Sequence, residues 1–246
     1  MPRRPGLALA LILTLATAAA APALAQEITL SLGDDGSLAA RGVQLLILLT
    51  VLSLVPGLAV MVTAFPFIVT VLSILRQAIG LQQSPPNMLI VTLALFLTWF
   101  VMEPTLTEAW AAGVQPLMDG QMELREAFAA AIAPFRSFMA LRMDPDTFDA
   151  LLALRPDAAR DRPVAEADLS VLVPSFLLSE IARAFQIGFL IYLPFLIIDL
   201  VVAAVLMSMG MMMVPPSVVS LPFKLAFFVV ADGWALVTGA LVRSYF

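Results

Sequence analysis

Leu193-Pro-Phe-Leu-Ile-Ile-Asp-Leu200, Met207-Ser-Met-Gly-Met-Met-Met-Val-Pro-Pro216 and Leu221-Pro-Phe-Lys-Leu225 follow one another along the chain. The two outer stretches are apolar, and each carries one ionisable residue, Asp199 and Lys224. Between them, five methionines run into a pair of prolines that reads as a helix stop. Methionine is unbranched and soft, so it repacks around many shapes. The cluster therefore reads in two ways: as gap-filling in an apolar core, or as a flexible constriction that meets something of variable shape.

Working outward, the whole chain is 61% hydrophobic and 13% charged, against about 45–50% and about 25% for an average soluble domain. A soluble fold could not hide that much apolar surface, so a membrane protein is expected. Cysteine and histidine are both absent. This excludes disulfide scaffolds, thiolate or imidazole metal sites, and Cys or His catalysis. A net charge of −5 argues against a nucleic-acid partner.

Arg3 and Arg4 precede an apolar run from Leu7 to Ala21, followed by Ala23-Leu24-Ala25. A basic n-region, an h-region and small residues at a scissile bond predict a signal peptide over residues 1–25, with the mature chain beginning at Gln26 outside the cytoplasm. The alternative is an uncleaved first transmembrane helix.

Residues 26–102 are expected to hold the first apolar helices. No charge occurs from Gly42 to Leu75; as one straight helix this run would measure about 51 Å, well beyond a hydrocarbon core of about 30 Å. Val55-Pro56-Gly57 is the expected break or kink, with a longer helix from about Leu58 into Ile79, and Ser84-Pro85-Pro86-Asn87 is the turn before a second apolar helix, Met88 to Met102. Residues 103–170 hold 12 acidic and 6 basic side chains. Phe128, Ile132, Phe135, Phe138 and Leu141 recur there at helical spacing, which predicts a small amphipathic helical region outside the bilayer, on the periplasmic side. Residues 171–246 return to apolar character, with helices expected over Pro174–Met209 and Val218–Ser244.

Glu180, Arg183, Asp199, Lys224 and Asp232 fall within or beside these last apolar segments. Unpaired, each would cost about 2.5–3.5 kcal/mol at the centre of a membrane helix. They must face partners, water or an interface. Glu180 and Arg183, at i and i+3, could pair locally. Lys224 is the chain's single lysine and has no opposite charge within seven residues, which points to a distant partner. A proton relay in a transporter would use the same carboxylates, but no inverted repeat accompanies them. No phosphate loop or catalytic motif is visible, so no enzymatic activity and no cofactor are expected.

Val173-Pro-Ser-Phe-Leu-Leu-Ser-Glu180, Ala184-Phe-Gln-Ile-Gly-Phe189, Pro194-Phe-Leu-Ile-Ile-Asp199, Met209-Gly-Met-Met-Met-Val-Pro-Pro216, Leu221-Pro-Phe-Lys224-Leu and Asp232-Gly-Trp234 together closely resemble the FliP family. Weaker matches are Leu75-Arg76-Gln-Ala-Ile-Gly80, Pro85-Pro-Asn87 and Leu93-Ala-Leu-Phe-Leu-Thr98. The resemblance implies an export-gate subunit of the flagellar type III protein secretion apparatus, located in the bacterial inner membrane at the flagellar basal body. It implies an all-α polytopic membrane protein of helical hairpins, assembling as a homo-oligomer into a ring or helical gate with FliQ and FliR, with FlhB beside them. The gate would form the pore for unfolded flagellar proteins. Met209, Met211, Met212 and Met213 would be the gasket of the closed pore, and Glu180 and Lys224 an inter-subunit salt bridge. SctR-like subunits of virulence secretion systems share these motifs and are the alternative within the family. The chain departs from the family at Thr63-Ala-Phe-Pro-Phe67, where many members carry an arginine, at Met88, and at Ala182-Arg183.

Overall fold

The computed structural model describes residues 38–81, 85–155, 163–211 and 213–246. The expected signal peptide and its cleavage site lie outside these residues, as does Met212. The chain divides into two units, Met1–Thr50 and Val51–Phe246. Among the described residues every regular element is helical.

Helix α1 (Leu38–Met61) bridges the sequence boundary between the units, and Val43, Leu46, Ile47, Leu49, Leu52 and Leu58 are among its exposed apolar side chains. The expected break at Pro56 does not occur: Pro56 is carried inside α1, and the helix ends after Met61. Thr63 makes the stop, its hydroxyl donating to the Val60 carbonyl at 2.8 Å and accepting from the Phe65 amide at 3.4 Å. Pro66 then occupies the first turn of α2 (Phe65–Ile79), where its fixed φ suits helix initiation.

Helix α2 is the centre of the larger unit. Phe67, Ile68, Val71, Leu72, Leu75, Ala78 and Ile79 are almost wholly buried, against α3 (Asn87–Met118), α6 (Leu169–Ser208) and α7 (Pro216–Val230). Gly188 of α6 permits the closest of these approaches, because a Cβ built there would lie 2.4 Å from Ile74 Cδ1. Arg76 closes the turn after α2, donating to the Pro85 carbonyl at 3.3 Å and to the Asn87 side chain.

Helix α3 (Asn87–Met118) runs well past Met102, so the charged stretch begins inside a helix rather than after one. A π-helical segment, Trp110–Val114, interrupts it where α4 (Leu124–Arg142) crosses. There a Cβ on Gly113 would sit 2.4 Å from the Ala127 carbonyl oxygen.

The face of α4 also differs from the expected stripe. Phe128 is 64% and Leu141 85% exposed, while Ala127, Pro134, Met139 and Arg142 are buried and Phe135 and Phe138 half-buried. Helix α5 (Pro145–Ala153) follows, and a 3-10 turn, Val164–Glu166, is stapled to α4 by Arg136 Nη1, which donates to the Ala165 and Ala167 carbonyls. Met139, Met143, Phe148, Val171, Leu172 and Phe176 form a second small core there.

Helix α6 (Leu169–Ser208) is a single 40-residue element that carries Pro174 and Pro194 within it. The helix expected over Val218–Ser244 is two: α7 (Pro216–Val230) and α8 (Gly233–Arg243), bent by 61°. The break is local. Asp232 adopts a left-handed φ of 48°, which ends the helical run.

Candidate functional site: two buried charge clusters and a methionine loop

The first cluster lies where α4, α6 and the segment after α8 meet. Glu180 is fully buried on the inner face of α6, which also presents Val171, Leu172, Ser175, Phe176 and Ser179 at steps of three, four and one. Its partner is Arg142, the last residue of α4: Nε and Nη2 each lie 3.0 Å from Glu180 Oε1. Arg142 Nη1 donates to the Ser244 carbonyl at 2.7 Å, and the guanidinium lies 4.0 Å from the centre of the Tyr245 ring. The Tyr245 hydroxyl donates to Glu180 Oε2 at 2.5 Å. Burial, reinforced by the charge of Glu180, pushes this phenol up, which keeps it a donor. The carboxylate thus has both oxygens occupied.

The second cluster joins α2, α6 and α7. Lys224, 5% exposed, donates to Asp199 Oδ2 at 2.6 Å and to the Ala78 carbonyl at 3.1 Å. Ser220 donates to Asp199 Oδ1 at 2.5 Å. The distant partner expected for the lone lysine is therefore present, 25 residues away on the neighbouring helix.

Glu180 and Lys224 do not meet within the chain; each belongs to a separate cluster. The local Glu180–Arg183 pair is not formed, because Glu180 turns inward to Arg142 while Arg183 is half-buried. Arg183 helps to lower the Asp144 carboxyl, which is held down mainly by hydrogen bonds from the Thr147 hydroxyl and amide. Of the other ionisable residues expected to be buried in the apolar segments, Arg183 and Asp199 are only half-buried and Asp232 is exposed, at the α7–α8 bend. Arg142 and Tyr245 are the residues that sequence reasoning missed. A signal existed for Arg142, which continues the Phe135–Phe138 stripe at i+7.

The methionine segment closes the α6–α7 hairpin. Helix α6 ends not at the prolines but at Gly210, whose φ is 72°. The Met211 amide donates to the Leu206 carbonyl and the Gly210 amide to the Met207 carbonyl, the paired bonds of a Schellman cap. Pro215 and Pro216 instead begin α7. Met209 is 66%, Met211 41% and Met213 98% exposed. These three do not fill the core of their own chain. Among the described residues no cluster of His, Cys, Asp and Glu could hold a metal ion.

Three helices among the described residues are long and apolar enough to cross a membrane, or four if α7 and α8 count as one bent span. With Glu180 and Lys224 each paired to an opposite charge within the fold, the class is an all-α polytopic membrane protein. The FliP family matches residues 48–241, and the chain belongs to that family. Among curated relatives, Flagellar biosynthetic protein FliP of Caulobacter vibrioides is 54% identical over 226 residues, 92% of this chain and 85% of the relative. The proteins of the same name from Agrobacterium fabrum and Bacillus subtilis are 50% and 48% identical, covering 86% and 82% of this chain and 86% and 91% of their own.

Proposed function

We infer that this chain is a gate subunit of the flagellar type III protein export apparatus and lines the path by which unfolded flagellar proteins leave the cell. The carrying observation is the hairpin loop of α6 and α7, which displays Met209, Met211 and Met213 outward at a sharply capped turn. Side chains of this kind seal by dispersion contact without reading sequence, which suits a gate that passes many polypeptides. Several copies would converge their loops, Met212 included, into one gasket.

In this reading the copies associate with FliQ and FliR, next to FlhB, in the bacterial inner membrane at the flagellar basal body. Exposed apolar faces on α1, α3 and α6 supply surface for such neighbours and for lipid. On assembly, Glu180 and Lys224 of adjacent copies would pair, in addition to the partners each holds within the chain. The subunit performs no chemistry of its own, and energy for export comes from elsewhere in the apparatus.

Complementation tests the reading. A strain lacking its own gate subunit and carrying this chain with FliQ and FliR from the same source should regain motility and release flagellar proteins into the medium. Stable expression of all three without any export would contradict it.

A further inference from the structure

Beyond the gate role, the fold carries a device at the far end of the α7–α8 pair. Helix α8 offers the core little besides Val237 and Leu241. It departs from α7 through a 61° bend whose corner residue, Asp232, holds a left-handed conformation, φ 48°. The other end is fixed in two ways: the Tyr245 ring packs on Phe67 and Phe138, and the Ser244 carbonyl and the Tyr245 ring and hydroxyl are gripped by Arg142 and Glu180.

We propose that Ser244 and Tyr245 form a latch, that Arg142 and Glu180 are its catch, and that closure holds α8 bent against α7 and tied to the charged helical region. Asp232 is the hinge. The catch is complete only with the latch in it: without Tyr245, Glu180 Oε2 loses its donor and one face of the Arg142 guanidinium loses its ring. The latch joins α4 to α8, and α8 continues through α7 to the methionine loop. A displacement of α4 therefore acts first on α8.

Hydrogen exchange on the full chain in mild detergent tests this. Tyr245→Phe keeps the ring and removes the hydroxyl, and should speed exchange over Gly233–Arg243 roughly tenfold, the effect of losing one charge-assisted hydrogen bond. Tyr245→Ala should speed it further. Helix α2 and the buried half of α6 should keep wild-type protection in both. Arg142→Ala is the harsher variant; should it fail to accumulate, the tyrosine pair decides the matter. Unchanged exchange over Gly233–Arg243 in Tyr245→Ala would overturn the latch. So would loosening spread evenly through Leu169–Ser208, which would make Tyr245 ordinary core.

Discussion

An ammonium group among apolar helices must find its compensation inside the fold, and Lys224 finds it in three forms. Asp199 supplies a carboxylate, the Ala78 carbonyl accepts a second hydrogen bond, and that carbonyl belongs to the end of α2, where the helix dipole is negative. The two members of the pair are unequal: the lysine side chain is 6% exposed and the aspartate 30%. Asp199→Asn leaves a buried cation short of its counter-charge and should approach the cost of about 3–5 kcal/mol for breaking a buried pair. Lys224→Met leaves an aspartate that still holds Ser220 and reaches solvent, and should cost clearly less. The double variant should recover much of the Asp199→Asn loss. Denaturant unfolding in detergent measures the order, and a larger loss for Lys224→Met would contradict it. This cycle is separate from the test between copies. If Glu180 and Lys224 also bridge adjacent subunits, Glu180→Lys and Lys224→Glu should each block assembly on a native gel, and the double exchange should restore part of it.

At the scale of elements, the turns follow rules that the sequence half discloses. Gly210 and the prolines after it were both visible, yet only the cap geometry shows that the glycine stops α6 while the prolines start α7. Gly210→Ala puts a Cβ at φ 72° and should destabilise the loop by about 1 kcal/mol. Thermal unfolding with and without the substitution checks this, and no change in midpoint would contradict it. Helix α5 tests a different cap. Asp144 accepts from the Thr147 amide and hydroxyl, and its carboxyl is held below the usual 3.8. A carboxyl so lowered adds stability above its unfolded value and loses that contribution as pH falls through the folded one. The turn at α5 should therefore begin to fray below about pH 3.8. Asp144→Asn should keep the cap and abolish the pH dependence, because asparagine caps without titrating. Exchange rates at Thr147 across that range decide it.

The architecture of the whole molecule was legible where hydropathy and local chemistry agree. The apolar segments, the charged middle and the long helix ending near Ser208 could all be read from residue order. Breaks set by competition between neighbours were not. Pro56 looked like the kink, but Thr63 and Pro66 together make the better stop. Asp232-Gly233 is a turn dipeptide, but it stands inside an otherwise apolar run, and the bend it makes was missed. Partners separated by 38 and 65 residues, Arg142 and Tyr245 about Glu180, lie beyond any local pattern. Length adds a further constraint. Helix α6 has 40 residues and so measures about 60 Å, roughly twice a hydrocarbon core. Its buried first third packs on α4 and α5, so only part of it can lie at bilayer depth. The expected leader belongs to this scale too: N-terminal sequencing of the membrane-extracted protein should begin at Gln26, and a chain still carrying Pro2 would overturn both the cleavage and the topology built on it.

In the proposed gate the methionine loop seals a protein-conducting path. Replacing Met211, Met212 and Met213 by alanine shortens the side chains while keeping helix-forming tendency around them. If they project into a shared pore, the complex should assemble at normal levels, membrane permeability to ions and small solutes should rise, and export should be kept or only partly reduced. Were they core filler, each buried loss would cost about 2–5 kcal/mol, and protein levels would fall without a leak. The direct measurement is assembled complex and solute permeability in the same cells. A gasket predicts intact complex with a leaking membrane; intact complex with a tight membrane would contradict it.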